Sequence, residues 1–379
     1  MKKIILILVM AVALTSNLTA QSDRSIILTD FSEVAENTID AVVHIKCEMT
    51  KVTPLYESFF GFIIDRGSRQ QSYTAFGSGV IISSEGYIIT NNHVVQDADK
   101  IVVTLNDKRE LPARLVGNDP ATDLAVIKIE ADGLQSIPFG DSDKVRVGEP
   151  VMAIGNPFNL TSTVTAGIIS AKARNMNIID NADGLESPIE SFLQTDAAVN
   201  SGNSGGALVN GRGELIGVIT AIASGNGYYT GYSFAIPANL AKKVSDDLKK
   251  YGYVQRAYLG VNVAEVQNGV KIEVALPNCA VANAGLKEGD IIRSINGNAI
   301  RGYSEMMEEV GRFNPGDKVV VGYERDGRSK SVEVVLLNSK GTTEILTKQQ
   351  VEAERKARLE EQQRQMMQKR QQQRYYIPW

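Results

Sequence analysis

Short apolar runs separated by turn residues dominate the chain between residues 41 and 236. Ala41 to Cys47 (A-V-V-H-I-K-C) reads as a strand. Gly79 to Ser83 and Tyr87 to Thr90 follow, joined by Ser84-Glu85-Gly86, which is a hairpin signal. Ile101 to Leu105, Glu110 to Val116 and Leu124 to Ile129 complete a first series. A second series runs Val151 to Ile154, Ser162 to Ala171, Ser191 to Gln194, Ala207 to Val209, Leu215 to Ala223 and Tyr232 to Ile236. Many short strands with turns between them predict barrels or sandwiches, with room for two barrels of about a hundred residues each. The period changes in two places. Phe31, Val34 and Ala35, with Ile39 further along, give Asp30 to Asp40 a helical face. Pro237 opens a helix over Ala238 to Tyr251, with Leu240, Val244 and Leu248 on one side.

Beyond the connector Gly252 to Ala257, a second domain spans Tyr258 to Leu337. It has short strands, a small-residue segment at Ala280 to Gly285 and the sequence G-D-I-I (Gly289 to Ile292) leading into Ile295-Asn296-Gly297. A helical stretch covers Ser304 to Phe313, and two strands join at Asp326-Gly327.

The pattern fails in two stretches. Met49 to Thr74 holds Pro54, Gly61, Gly67 and a polar run at Ser68 to Ser72, and is read as a long loop. Its aromatics Tyr56, Phe59, Phe60 and Phe62 either dock on a partner subunit or substrate, or pack on their own domain. Thr347 to Arg374 is rich in Gln, Arg, Lys and Glu, with no sustained heptad, and is either a solvated helix or disorder. Basic residues outnumber acidic ones there, which fits a weak contact with an anionic surface. The chain then ends on the apolar run Tyr375 to Trp379.

Composition narrows the class. The chain has 379 residues, 33 glycines and a net charge of −4, a globular and β-rich balance. The mild charge excludes a nucleic-acid-binding surface over the whole molecule. Lys2 and Lys3 precede an apolar run from Ile4 to Leu14, and Ala20 stands before Gln21. This is an export signal over residues 1–20, too short for a comfortable membrane span. Leu18 is large for its place before the cut, so an uncleaved inner-membrane anchor is the alternative. The expected compartment is the periplasm. Cys47 and Cys279 fall in different domains and are expected as free thiols. With only His44 and His93, and no H-E-x-x-H or C-x-x-C, no metal site and no cofactor are expected. G-x-x-x-x-G-K-[ST] is absent as well, which argues against ATP dependence.

The chemistry centres on T-D-A-A-V-N-S-G-N-S-G-G-A-L, Thr195 to Leu208. A serine between glycines can sit on a tight turn where the N–H groups of Gly202, Asn203 and Ser204 converge on an oxyanion. A small-residue turn with a structural serine is the bland alternative. A serine nucleophile needs a base and a carboxylate to orient it. His44 lies inside a strand and is read as structural, which leaves His93 in T-N-N-H-V-V. The carboxylate candidate is Asp123, at the mouth of another strand.

The order His93, Asp123, Ser204 is that of the chymotrypsin-type double barrel. The chain resembles the HtrA family of exported serine proteases, the DegP, DegQ and DegS type. The resemblance rests on T-N-N-H-V-V (Thr90 to Val95), D-L-A-V-I-K-I (Asp123 to Ile129), I-G-N-P-F (Ile154 to Phe158) and Gln194 to Leu208. G-E-L-I-G-V-I-T-A-I (Gly213 to Ile222) and F-A-I-P (Phe234 to Pro237) match as well. It implies a trypsin-like protease domain over residues 30–251, a PDZ domain over 258–337 and a charged C-terminal extension over 345–379. His93 is then the general base, Asp123 the orienting carboxylate and Ser204 the nucleophile, with the oxyanion hole at Gly202, Asn203 and Ser204.

The resemblance carries specificity with it. Ala198 corresponds to the base of the first pocket, with Ile219, Thr220 and Ala221 along a wall. No acid stands there, so cleavage after small or aliphatic residues is expected. Tyr258-Leu259-Gly260-Val261 matches the PDZ carboxylate-binding loop, and the helix Ser304 to Phe313 walls the groove. Backbone N–H groups in such a loop hold a C-terminal carboxylate while the peptide adds a strand. With no histidine on that helix, hydrophobic C-terminal peptides are the expected ligands. The Ile377-Pro378-Trp379 end is one candidate occupant; an interface anchor or disorder is the other reading. The implied function is degradation of misfolded exported proteins by a homotrimer or a multiple of it, with chaperone activity alongside. Arg174 to Glu190 corresponds to a sensor loop and is extended, and Asn159 stands where glycine is usual.

Overall fold

The computed structural model describes residues 30–59, 62–157, 162–179, 187–222 and 231–374. The expected export signal, Phe60-Gly61, Phe158, Asn159, the Ala223 loop and the last five residues lie outside the described residues, as do the side chains of residues 51–70 and of Ala221. Helix α1 (Phe31–Thr38) leads through a 3-10 turn (Ile39–Ala41) into barrel one. Its strands are β1 (Val42–Phe59), β2 (Phe62–Ile81), β3 (Tyr87–Asn91), β4 (Lys100–Thr104), β5 (Glu110–Asp119) and β6 (Leu124–Lys128). They close in the order β1-β2-β3-β6-β5-β4. Short helix α2 (Asn92–Val95) caps the end of β3.

Barrel two repeats the design with β7 (Pro150–Gly155), β8 (Thr163–Arg174), β9 (Phe192–Thr195), β10 (Ala207–Asn210), β11 (Leu215–Ile222) and β12 (Ser233–Pro237). It closes as β10-β11-β12-β9-β8-β7. Both interiors are built from β-branched and aliphatic residues, such as Ile45, Ile89 and Ile127 in barrel one and Val151, Leu208 and Ile216 in barrel two. Helix α3 (Ala238–Tyr251) presses Leu240, Ala241, Val244 and Leu248 into a core shared with Leu124 and Ile127 of barrel one and Leu215 and Val218 of barrel two. Each such leucine contributes about 1.5–3 kcal/mol by leaving water. The helix stops at Gly252, whose φ of +68° suits glycine and whose N–H caps Leu248 at 2.9 Å.

The stretch Met49 to Thr74 departs from the loop expectation. β1 and β2 pair without a break from Val42↔Val80 to Phe59↔Phe62, apart from a register shift between Pro54 and Tyr56. Proline has no N–H to give the ladder, so the shift falls where a bond is missing. On its return strand Gln71, Ser72, Tyr73 and Thr74 are all exposed.

A third sheet follows, with β13 (Val261–Val266), β14 (Gly269–Ala275), β15 (Ile291–Ile295), β16 (Asn298–Ala299), β17 (Lys318–Arg325) and β18 (Arg328–Val335). Its order is β13-β14-β15-β17-β18, with β16 on β15, so β13 is an edge strand. Helices α4 (Ala280–Asn283) and α5 (Tyr303–Gly311) pack on it, around a core containing Ile272, Ile292, Ile295 and Val321. Just past α5, Arg312 is largely buried and bonds Asp143 at 2.7 Å and Glu309 at 3.1 Å, tying this sheet to barrel two. The chain then returns to the connector. The Gln255 amide donates to Leu346 O at 2.9 Å and accepts the Leu346 N–H at 3.0 Å. The Gln-rich segment is helix α6 (Lys348–Arg374) rather than disorder. Among the described residues no helix is long and apolar enough to cross a membrane.

Candidate active site

The turn Asp119 to Asp123 delivers the carboxylate. Asp123 N–H donates to Pro120 O at 3.3 Å, and Asp123 adopts φ +55°. A left-handed aspartate costs on the order of 1–3 kcal/mol unless its surroundings hold it. They do: its carbonyl accepts the Asn92 N–H and the Asn91 side-chain amide, both at 3.0 Å. Beneath the turn the Asp119 carboxylate accepts from the Thr122 hydroxyl and from buried Arg256 of the connector.

The Asp123 carboxylate is aimed at His93. Oδ2 meets His93 Nδ1 at 2.8 Å, and Oδ1 accepts the His93 N–H at 3.0 Å. A third donor, the Thr220 hydroxyl, bonds Oδ2 at 2.8 Å. The carboxylate is 13 % exposed and the imidazole 45 %, so the ring's far nitrogen faces the cleft while its orienting group stays dry. A carboxylate on Nδ1 fixes the tautomer that leaves Nε2 as a proton acceptor.

Ser204 lies across the barrel boundary. Among the described residues its hydroxyl has one partner, Thr220 O at 3.3 Å. The turn before it holds Gly202 at φ +96°, where an added Cβ would lie 2.9 Å from Pro157 Cβ. Gly205 adopts φ +84°, and a Cβ there would fall 2.1 Å from Ser78 O. Asn203 N–H donates to Asn200 O at 3.0 Å, so it does not join the expected oxyanion donors. The N–H groups of Gly202 and Ser204 find no backbone acceptor among the described residues, which leaves a pair of donors.

Thr220, placed by the resemblance on a pocket wall with Ile219 and Ala221, lines the cleft beside His93 and Asp123 and has a second task that the sequence did not show. Pairing of β11 with β12 slips between Ile219↔Ala235 and Ala221↔Phe234, leaving Thr220 as the extra residue of a bulge. A bulge re-aims a side chain; here the hydroxyl goes to Asp123 and the carbonyl to Ser204. Ile219 is 1 % exposed and packs in the barrel core instead of lining an open wall. Ala198 keeps some surface, and its carbonyl accepts the Thr165 hydroxyl at 2.8 Å. A buried hydroxyl in an otherwise apolar strand was the available signal for Thr220, because such a group must find a partner.

His44 is structural. It is buried, stacks on Phe76 with centroids 5.6 Å apart, and donates from Nδ1 to Asn156 O at 2.8 Å. Burial lowers its pKa. The Arg174 to Glu190 loop is tied at its base by the Glu190 carboxylate, which accepts the N–H groups of Met176, Asn177, Ile178 and Ile179. Ile178 and Ile179 join His93, Asp123 and Thr220 around a cleft of about 790 Å³ that reaches Arg355 on α6.

In the third sheet Gly260 adopts φ +77°, and a Cβ there would fall 2.3 Å from Cys279 Cβ. Its carbonyl accepts the Leu276 N–H at 3.0 Å, and Leu259 O accepts the Val281 N–H at 3.2 Å. The Leu259 and Gly260 N–H groups have no backbone acceptor among the described residues. Edge strand β13 runs from this loop past α5, where Glu265 accepts the Tyr303 N–H at 2.8 Å. The thiols are free and buried, and burial pushes Cys47 up to about 12.

Comparison with known proteins agrees with this arrangement. Residues 77–218 match the trypsin-like peptidase domain family and residues 257–336 the PDZ domain family. The chain is 40 % identical over 369 residues to a probable periplasmic serine endoprotease, DegP-like, of Marinomonas, covering 89 % of this chain and 76 % of that one. It is 39 % identical over 342 residues to the periplasmic pH-dependent serine endoprotease DegQ of Escherichia coli, covering 84 % and 73 %. Among solved structures, the HtrA-type protease AlgW with a decapeptide superposes with a TM-score of 0.59 at 35 % identity, covering 82 % of this chain and 98 % of that one. A serine endoprotease from Yersinia pestis gives 0.51 at 36 % identity, covering 82 % and 99 %. Two closed barrels, a single PDZ sheet and these relatives place the chain in the HtrA family of serine endoproteases.

Proposed function

We propose that the chain is a periplasmic, ATP-independent endoprotease in which Ser204 is the nucleophile, His93 the general base and Asp123 the group that orients it. One observation carries this reading: the Asp123 carboxylate, mostly buried, grips His93 through both oxygens while Thr220 holds it from behind. On substrate binding the Ser204 hydroxyl leaves Thr220 O for His93 Nε2. Its oxygen attacks the scissile carbonyl as the proton passes to the imidazole. The Gly202 and Ser204 N–H groups receive the oxyanion, and the imidazolium then protonates the leaving amine. Water repeats the sequence on the acyl-enzyme.

Substrates are unfolded exported proteins, cleaved after small or aliphatic residues seated over Ala198. The PDZ loop Tyr258 to Val261 holds a hydrophobic C-terminus: the Leu259 and Gly260 N–H groups, without backbone acceptors among the described residues, take the carboxylate, and the open edge of β13 takes the strand. The chain divides into protease (30–251), PDZ (258–337) and charged C-terminal (345–379) parts, works as a homotrimer or a multiple of it, and reaches the periplasm through residues 1–20.

Casein turnover by the exported protein and its Ser204→Ala variant tests the reading. Loss of cleavage in the variant is expected. Equal turnover would instead assign the chain as a binding protein or chaperone. Native mass measurement tests the trimer.

A further inference from the structure

Ser78 belongs to barrel one, yet its bonds reach into barrel two. It sits on β2 in F-G-S-G-V, fully buried. β2 pairs with β3 only at Val80 and Ile81, so at Ser78 the backbone is released for other partners. Its N–H donates to Ser204 O at 2.8 Å, and its carbonyl accepts the Thr90 hydroxyl at 2.7 Å. Its hydroxyl donates to Gly202 O at 2.7 Å and accepts the Asn156 N–H at 2.8 Å. The glycines on either side permit this approach: a Cβ on Gly77 would lie 2.7 Å from the Val94 methyls, and one on Gly79 2.6 Å from Ile88.

These bonds act on the two peptide units that flank the proposed oxyanion donors. The Gly202–Asn203 unit is held at its carbonyl by the Ser78 hydroxyl and at its N–H by Asn200 O. The Ser204–Gly205 unit is held at its carbonyl by the Ser78 N–H and at its N–H by Ile219 O at 2.8 Å. Between them Asn203 O accepts the Gly206 N–H at 2.9 Å, which anchors the peptide that carries the Ser204 N–H. Turning the Gly202–Asn203 peptide over requires breaking the Ser78 hydroxyl bond to a part-buried carbonyl as well as the Asn203 N–H bond to Asn200.

We propose that Ser78 is a positioning residue for catalysis: its hydroxyl locks the Gly202–Asn203 peptide in the orientation that presents the Gly202 and Ser204 N–H groups to a tetrahedral intermediate. The proposal rests on the reading of Ser204 as nucleophile. Nothing in the three-residue sequence G-S-G advertises it, because both partner peptides lie more than a hundred positions away.

The test uses the exported full chain as Ser78→Ala and Ser78→Cys, with active sites titrated by a fluorophosphonate and kinetics on a peptide substrate. Ser78→Ala is expected to lower kcat per titrated site about 10- to 100-fold with KM within about twofold, the signature of an interaction made in the transition state. Affinity for a peptide aldehyde, which forms an oxyanion on the nucleophile, falls by the same factor. Ser78→Cys recovers part of both, and it carries the test alone if the alanine variant does not fold. Unchanged kcat per titrated site, or a lower kcat with full aldehyde affinity, overturns the proposal. Peptide mass mapping of the wild-type adduct separates the two readings: label away from Ser204 sinks the nucleophile assignment, whereas label on Ser204 with an unaffected Ser78→Ala sinks only the role of Ser78.

Discussion

The two halves of the active site are secured differently. On the barrel-one side, His93 and Asp123 sit in a closed set of bonds: the carboxylate has three donors and the Asp123 carbonyl two. On the barrel-two side, the turn from Gly202 to Ser204 keeps two N–H groups without backbone acceptors and a hydroxyl resting on Thr220. The first half is bonded throughout; the second is held from its rim, by Ser78, Asn200 and Ile219. Proton handling needs a fixed tautomer, whereas oxyanion stabilisation needs donors with nothing else to bond. The proposed mechanism therefore turns, in the second half, on the Gly202 and Ser204 N–H groups, which have no backbone acceptor among the described residues.

Four variants break or sharpen that contrast, in descending order of effect. Asp123→Asn leaves a neutral amide beside His93 and favours the wrong tautomer. We expect kcat to fall about 10⁴-fold in a peptide assay with the fold intact by circular dichroism. Gly202→Ala attacks the other half, since φ +96° and Pro157 leave no room for a methyl group. Loss of one oxyanion donor predicts a fall in kcat of about 10²- to 10³-fold, and an unchanged value would remove Gly202 from the site. Thr220→Val deletes one of three donors to an ionised carboxylate, an interaction of about 1.5–3 kcal/mol. Because His93 supplies the other two, kcat should drop only about tenfold; a drop near that of Asp123→Asn would show the first half to be less secure than its bonds suggest.

His44→Gln gives the smallest effect. His44 has its pKa lowered by burial, so the unfolded chain binds the proton more readily. Its contribution to stability is present above the unfolded pKa of about 6.5 and is lost as pH falls through the lower folded value. Urea titrations should show wild-type stability falling below that pH by no more than about 1.4 kcal/mol per pH unit for this single proton. The slope should flatten in the variant, and identical slopes would mean that His44 titrates as freely in the folded chain as in the unfolded one.

The run of short strands and the helix after Pro237 were legible because each leaves a local mark, apolar alternation or a proline before a helix, and the Asp123 carboxylate does lie against His93 as the motifs suggested. What escaped the sequence was set by pairing at a distance. The β1–β2 hairpin beyond Met49 shows no alternation at Gln71 to Thr74, where every residue is exposed. Thr220 owes its aim to one residue of slippage against β12. Asn203 left the donor set because its N–H is used locally by Asn200, a choice made by the peptide plane and not by residue type.

The bonds from Ser78 to Gly202 and Ser204 join segments separated by 124 residues and more. Contacts of such separation close late in folding, because most of the intervening chain must be ordered first. The turn from Gly202 to Ser204 therefore takes its final bonds only after both barrels have met. A molecule that loses its barrel contact therefore loses the Ser78 bonds to Gly202 and Ser204 before either barrel unravels.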